Sequence, residues 1–139
     1  MAVAVLATLV LASCGDDDDK KTTPRAPAVA GDLELVIRAD SGPGNESVSG
    51  LICQPGDVRA TGPLRQKADA ERLCDAARDL SSELTSKPPA SRVCTRIYGG
   101  PQTARITGTI DGRRVDRTFK RTDGCEIKDY AQIAKILPS

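Results

Sequence analysis

Histidine and tryptophan are absent from this 139-residue sequence, which has one phenylalanine, one methionine and two tyrosines. Without an imidazole there is no His-based catalytic triad, no imidazole general base and no histidine metal ligand. The carboxylates that are present, Asp116 and Glu126 among them, carry no spacing that marks an acid–base pair, so the chain reads as a non-enzyme. Aromatic residues make up 2% of the chain and leave no platform for stacking bases. Arg105, Arg113, Arg114, Arg117, Lys120 and Arg121 lean basic around the lone Phe119, and a solvated pair of strands accounts for them without nucleic acid. Elsewhere charge is balanced, 20 Lys and Arg against 19 Asp and Glu, so no strong field points to an acidic partner. No apolar run approaches the ~20 residues that a spanning helix requires. No internal repeat is visible.

The apolar stretch that does occur lies at the amino end and closes with Leu11-Ala12-Ser13-Cys14, followed at once by Gly15-Asp16-Asp17-Asp18-Asp19-Lys20. This looks like a bacterial lipoprotein signal, in which residues 1–13 are removed and Cys14 becomes the acylated amino terminus. Residues 14–30 then form a solvated tether of acidic, Lys, Thr, Pro and Ala residues. Asp16 to Lys20 also spells an enteropeptidase sequence, although its position directly after Cys14 suits a natural spacer. The expected location is extracytoplasmic, with the membrane a partner through the lipid anchor.

Setting Cys14 aside leaves Cys53, Cys74, Cys94 and Cys125, an even number in a small domain outside the reducing cytosol, as two disulfides require. Three pairings exist, and sequence order with local structure favours Cys53 with Cys74 and Cys94 with Cys125. Zinc is the competing use of four cysteines, but none stands in a Cys-x-x-Cys pair. No metal and no cofactor is expected. Residues 31–139 are enough for one hydrophobic core and too few for two.

Within that domain, residues 32–38 and 47–53 are rich in Leu, Val and Ile and flank a turn-forming Asp40-Ser-Gly-Pro-Gly-Asn45, which predicts two antiparallel strands. Over residues 67–84, Ala70, Leu73, Cys74, Ala77 and Leu80 recur at helical spacing, with Cys74 toward the core. Residues 103–110 and 113–120 flank Asp111-Gly112, the strongest hairpin signal in the chain. Ile127, Tyr130, Ile133, Ala134 and Leu137 predict a short closing helix that Pro138 ends. The fold class is α+β, an antiparallel sheet of about five strands with two helices on one face.

The segment left over runs from Lys87-Pro88-Pro89 through Cys94-Thr95-Arg96-Ile97-Tyr98 to Gly99-Gly100-Pro101. Prolines at one end and a disulfide at Cys94 hold it extended with Arg96 free to project, as a substrate-like inhibitory loop requires. Gly99 and Gly100 add flexibility on its outgoing side.

These residues resemble the Streptomyces subtilisin inhibitor family. The likeness runs over most of the domain: an opening Leu-rich strand, a strand ending in Cys53, a helix carrying Cys74, then Cys94-Thr95-Arg96-Ile97-Tyr98, Thr107-Gly108-Thr109 and Gly124-Cys125-Glu126. The resemblance implies disulfides Cys53 to Cys74 and Cys94 to Cys125. It implies a reactive bond between Arg96 and Ile97, with Thr95 and Tyr98 as loop contacts, and a partner that is a serine protease of the trypsin-like or subtilisin-like class. Family members commonly dimerise, so a homodimer is implied as well. Arg96 favours trypsin-like enzymes, whose specificity pocket holds a carboxylate. The competing function is a non-inhibitory cell-envelope lipoprotein, a binding module that keeps the inhibitor fold.

Overall fold

A computed structural model describes residues 31–139; the expected signal, lipidation site Cys14 and tether lie outside the described residues. Strand β1 (Leu33–Asp40) alternates strictly, burying Leu33, Leu35, Ile37 and Ala39 while Glu34 and Arg38 face water. It is the centre of the sheet. Strand β2 (Glu46–Gln54) pairs along one edge from Leu33↔Cys53 to Asp40↔Glu46. Strand β4 (Thr103–Ile110) pairs along the other, from Leu33↔Ile110 to Asp40↔Thr103. The outer strands are β3 (Asp57–Ala60) beside β2 and β5 (Arg113–Phe119) beside β4, giving the order β3-β2-β1-β4-β5, antiparallel throughout. Asp111 and Gly112 both take positive φ, 47° and 74°, the two left-handed positions of a hairpin turn that matches the twist of its strands.

The helices of the described residues lie on the face that carries Leu33, Leu35, Ile37, Leu51, Ile106 and Val115. Helix α1 (Ala70–Asp79) covers β2 and β3, α2 (Ser81–Thr85) covers β5 and β4, and α3 (Gly124–Ile133) closes against β5. The helix expected over residues 67–84 is thus two, broken at Leu80, whose φ of −91° and ψ of 7° turn the chain. The break has a packing reason: Leu80 and Leu84 are both buried, and a straight helix would carry Leu84 past the β4–β5 side of the core. Short 3-10 turns, Gly62–Gln66 and Ala134–Ile136, bring Leu64 and Ile136 into the same core. No helix among the described residues is long and apolar enough to cross a membrane.

Cys53 at the end of β2 is joined to Cys74 on α1, and Cys94 to Cys125 on α3. Two disulfides in a domain of this size belong to a protein that matures outside the reducing cytosol.

Candidate functional site

After α2 the chain enters a stretch without regular secondary structure that ends only at β4, residues 87–102. Pro88 and Pro89 lack the N–H that helix continuation would use. Arg117 secures the start of this stretch. It sits on the covered face of β5 between Val115 and Phe119, lies over the Phe119 ring at 4.8 Å, and donates to the backbone carbonyls of Glu83 and Ser86. Burial lowers its pKa from the usual arginine value. Arg117 is therefore no solvated strand residue, as the sequence pattern suggested for the basic cluster; Arg105, Arg113, Arg114 and Lys120 are exposed.

The incoming limb next runs antiparallel to α3 and is tied to it at successive points. Arg92 grips Asp129 through two contacts, 2.8 and 3.0 Å, and that hydrogen bond holds the Arg92 pKa above its ordinary value. Cys94 is bonded to Cys125, with Cα atoms 5.3 Å apart. The Thr95 carbonyl accepts from the Gly124 N–H at 2.9 Å. Gly124 opens α3, and a Cβ there would run into the Thr95 hydroxyl oxygen, so the absence of a side chain leaves room for the limb. The helix start that presents these groups is set by Asp123, whose carboxylate accepts from the Glu126 N–H at 2.9 Å while Glu126 bonds back to the Thr122 N–H at 3.1 Å.

The outgoing limb is held by different groups. Gly99 N–H donates to the Arg121 carbonyl at 2.7 Å, and the Arg121 guanidinium bonds the Gln102 side chain at 2.9 Å while lying over Tyr130. A Cβ on Gly99 would fall 2.6 Å from Ile127 of α3. Glycine at position 99 thus permits close contact with the helix, a role different from the slack expected of Gly99-Gly100.

Between the Thr95 carbonyl and the Gly99 N–H stand only Arg96, Ile97 and Tyr98. All are exposed, Ile97 at 58% and Tyr98 at 67%, and Val93 just upstream is 96% exposed. Large apolar side chains are rarely left this open in consecutive positions without a partner to meet. The expected site residues Cys94, Thr95, Arg96, Ile97 and Tyr98 therefore form one projecting segment, whereas Cys53 and Cys74 lie apart in the core. Sequence reasoning missed Arg92, Arg121, Gly124, Ile127 and Asp129. One signal was available: Asp129 is four residues after Cys125, hence on the same helix face.

Other candidate chemistry disperses. The sulfurs of Cys94 and Cys125 approach Asp123, but sulfurs joined in a disulfide offer no thiolate to a metal. Asp116 pairs with Arg105 at 3.1 Å on the uncovered sheet face, and Glu126 serves the start of α3, so the two carboxylates do not form a pair.

What fold and site define is a small disulfide-bonded α+β domain that projects a short apolar and cationic segment fixed at both ends. The chain matches no family model. It is similar to Subtilisin inhibitor-like protein 1 of Streptomyces cacaoi, with 34% identity over 62 residues, which is 42% of this chain and 56% of that protein. The match therefore spans just over half the length of that relative.

Proposed function

We propose that the domain is an extracytoplasmic serine protease inhibitor whose reactive bond is Arg96–Ile97, with trypsin-like enzymes preferred. The observation that carries this reading is the pair of backbone hydrogen bonds, Thr95 to Gly124 and Gly99 to Arg121, that brackets three exposed residues. In such an arrangement the protease serine adds to the Arg96 carbonyl and the Ile97 amine leaves with a proton, forming an acyl enzyme. Both limbs stay tied to the fold. The amine therefore remains beside the ester, attacks it, and restores the peptide bond and the free serine. Preordering also limits the entropy lost on binding. Arg96 supplies a guanidinium for a pocket carboxylate, and Thr95, Ile97 and Tyr98 flank it. The likeness to a protein named for subtilisin inhibition supports the same reading.

Titration of trypsin with the purified protein is expected to reach near one-to-one inhibition, and long incubation to nick Arg96–Ile97 alone. Digestion at many sites, or indifference of every serine protease tried, would overturn the inhibitor and leave a binding module that uses Val93, Ile97 and Tyr98 on another protein. We propose further that Cys14 carries a lipid anchor. Each buried methylene contributes ~0.8 kcal/mol, so two acyl chains hold a protein durably at a membrane. Cys14→Ser should move the protein out of the membrane fraction; unchanged fractionation and mass would refute the anchor.

A further inference from the structure

We propose that the Arg92–Asp129 ion pair positions the severed incoming limb, so that it decides whether a cut Arg96–Ile97 bond is resealed or lost. The inference rests on the inhibitor reading and names a component of it. Arg92 and Asp129 meet through both terminal guanidinium nitrogens, Nη1 and Nη2, and both carboxylate oxygens at 3.0 and 2.8 Å, with side chains only 31% and 22% exposed. This is no loose surface pair; a two-pronged, largely shielded contact fixes direction as well as distance. The disulfide Cys94–Cys125 ties the limb at one point and leaves rotation about its own bonds. The Thr95–Gly124 hydrogen bond fixes the backbone beside Arg96 but lies one residue from the disulfide, so it adds no distant point of attachment. Arg92, two residues upstream of Cys94, grips α3 one turn beyond Cys125, and two separated attachments set the limb's line.

While the loop is continuous, the outgoing limb supplies that second attachment from the far side through Gly99 and Arg121. The ion pair is then partly redundant. Once the bond is cut the attachment through the outgoing limb is gone, and Arg92–Asp129 becomes the one contact distant from Cys94 that, with the disulfide and the Thr95–Gly124 hydrogen bond, keeps the Arg96 carboxyl end aimed at the Ile97 amine. Its loss should therefore be felt in resealing more than in first binding.

The test incubates the full chain with a catalytic amount of trypsin, approaching equilibrium from intact and from nicked protein. The ratio of nicked to intact protein is read by mass. Asp129→Asn is expected to raise that ratio about tenfold, with initial inhibition weakened by less than that. Arg92→Lys, which keeps charge but loses the fork, should fall between. Replacing the two residues together should raise the ratio no further than Asp129→Asn alone, since both changes act on one interaction. A merely structural pair would lower the melting temperature and leave the ratio unchanged once the variant is folded; that result overturns the proposal. So does additivity of the two substitutions. If wild-type nicked protein is never resealed, the inhibitor reading falls with it; if wild type reseals and Asp129→Asn reseals equally, only the positioning role falls.

Discussion

The two disulfides close stretches of similar length, their partners 21 and 31 positions apart in the chain, yet they hold different kinds of structure. Cys53 and Cys74 are 0% and 2% exposed, packed among the leucines that join β2 to α1. Cys94 and Cys125 are partly open to solvent and strap a segment that has no core of its own. Loop-closure entropy alone would assign each about 3–4 kcal/mol of stabilisation. It takes no account of what the freed chain can do in the native state. Around Cys53 the chain is locked into the sheet on both sides, so freeing it relaxes nothing. Around Cys94 a released limb can lift from α3 while the sheet stays folded, and the native state regains much of the entropy.

The largest effect on folding is thus expected from the buried bridge. Cys53→Ala with Cys74→Ala removes the full entropic contribution and leaves a void in the core, lowering the melting temperature by roughly 15 °C or more. Cys94→Ala with Cys125→Ala should cost less than about 2 kcal/mol in the same thermal scan, because local release offsets the loss. Its signature is functional: the protein should turn from inhibitor into substrate, cut at Arg96–Ile97 without resealing. Equal melting shifts for the two double variants would break the comparison and make residues 87–102 part of the cooperative core.

How far the sequence reveals this division follows from which forces leave a periodic trace. Strands β1, β4 and β5 are legible because one face is buried and the other wet, so Leu33, Leu35 and Ile37 alternate with Glu34 and Arg38. The Asp111-Gly112 turn is legible because few residue pairs accept its backbone angles. The break at Leu80 is hidden, since Leu73, Ala77, Leu80 and Leu84 keep helical phase across it. Strand β3 is hidden too, a four-residue edge whose only apolar members are Val58 and Ala60. The site divides in the same way. Its projecting residues are marked by Cys94 and by prolines and glycines, but the groups that fix it, Arg92 on Asp129 and Gly99 on Ile127, are 37 and 28 positions apart in the chain and meet only through the fold.

An intermediate effect should come from the close approach at position 99. In Gly99→Ala the new methyl would meet Ile127 Cγ1 at 2.6 Å and Cδ1 at 2.8 Å, so either the Ile127 side chain or the outgoing limb must give way. The expected loss is about 1–2 kcal/mol in denaturant titration, with faster irreversible cleavage of the loop. Adding Ile127→Ala makes room for the methyl and should restore slow cleavage. Failure of that rescue would mean that backbone freedom at Gly99, and not contact with the helix, is what the position requires.

The smallest effect on folding is expected at Arg96, the residue on which the proposed inhibition would most depend. Arg96 is exposed and makes no hydrogen bond or ion pair among the described residues, so Arg96→Met should leave stability within about 0.5 kcal/mol of wild type. Binding should respond in the opposite measure. Removing the guanidinium leaves the carboxylate of a trypsin-like pocket buried and unpaired, a loss of several kcal/mol and hence at least about a hundredfold in affinity. The unbranched thioether suits an apolar pocket, so inhibition of subtilisin-like or chymotrypsin-like enzymes should hold or improve. The two measurements together separate the halves of the molecule: a side chain that contributes nothing to the core can govern recognition because α3, the disulfide and two backbone hydrogen bonds already hold its backbone in place. A large drop in stability for Arg96→Met, or unchanged trypsin inhibition, would show that the projecting segment is not organised in this way.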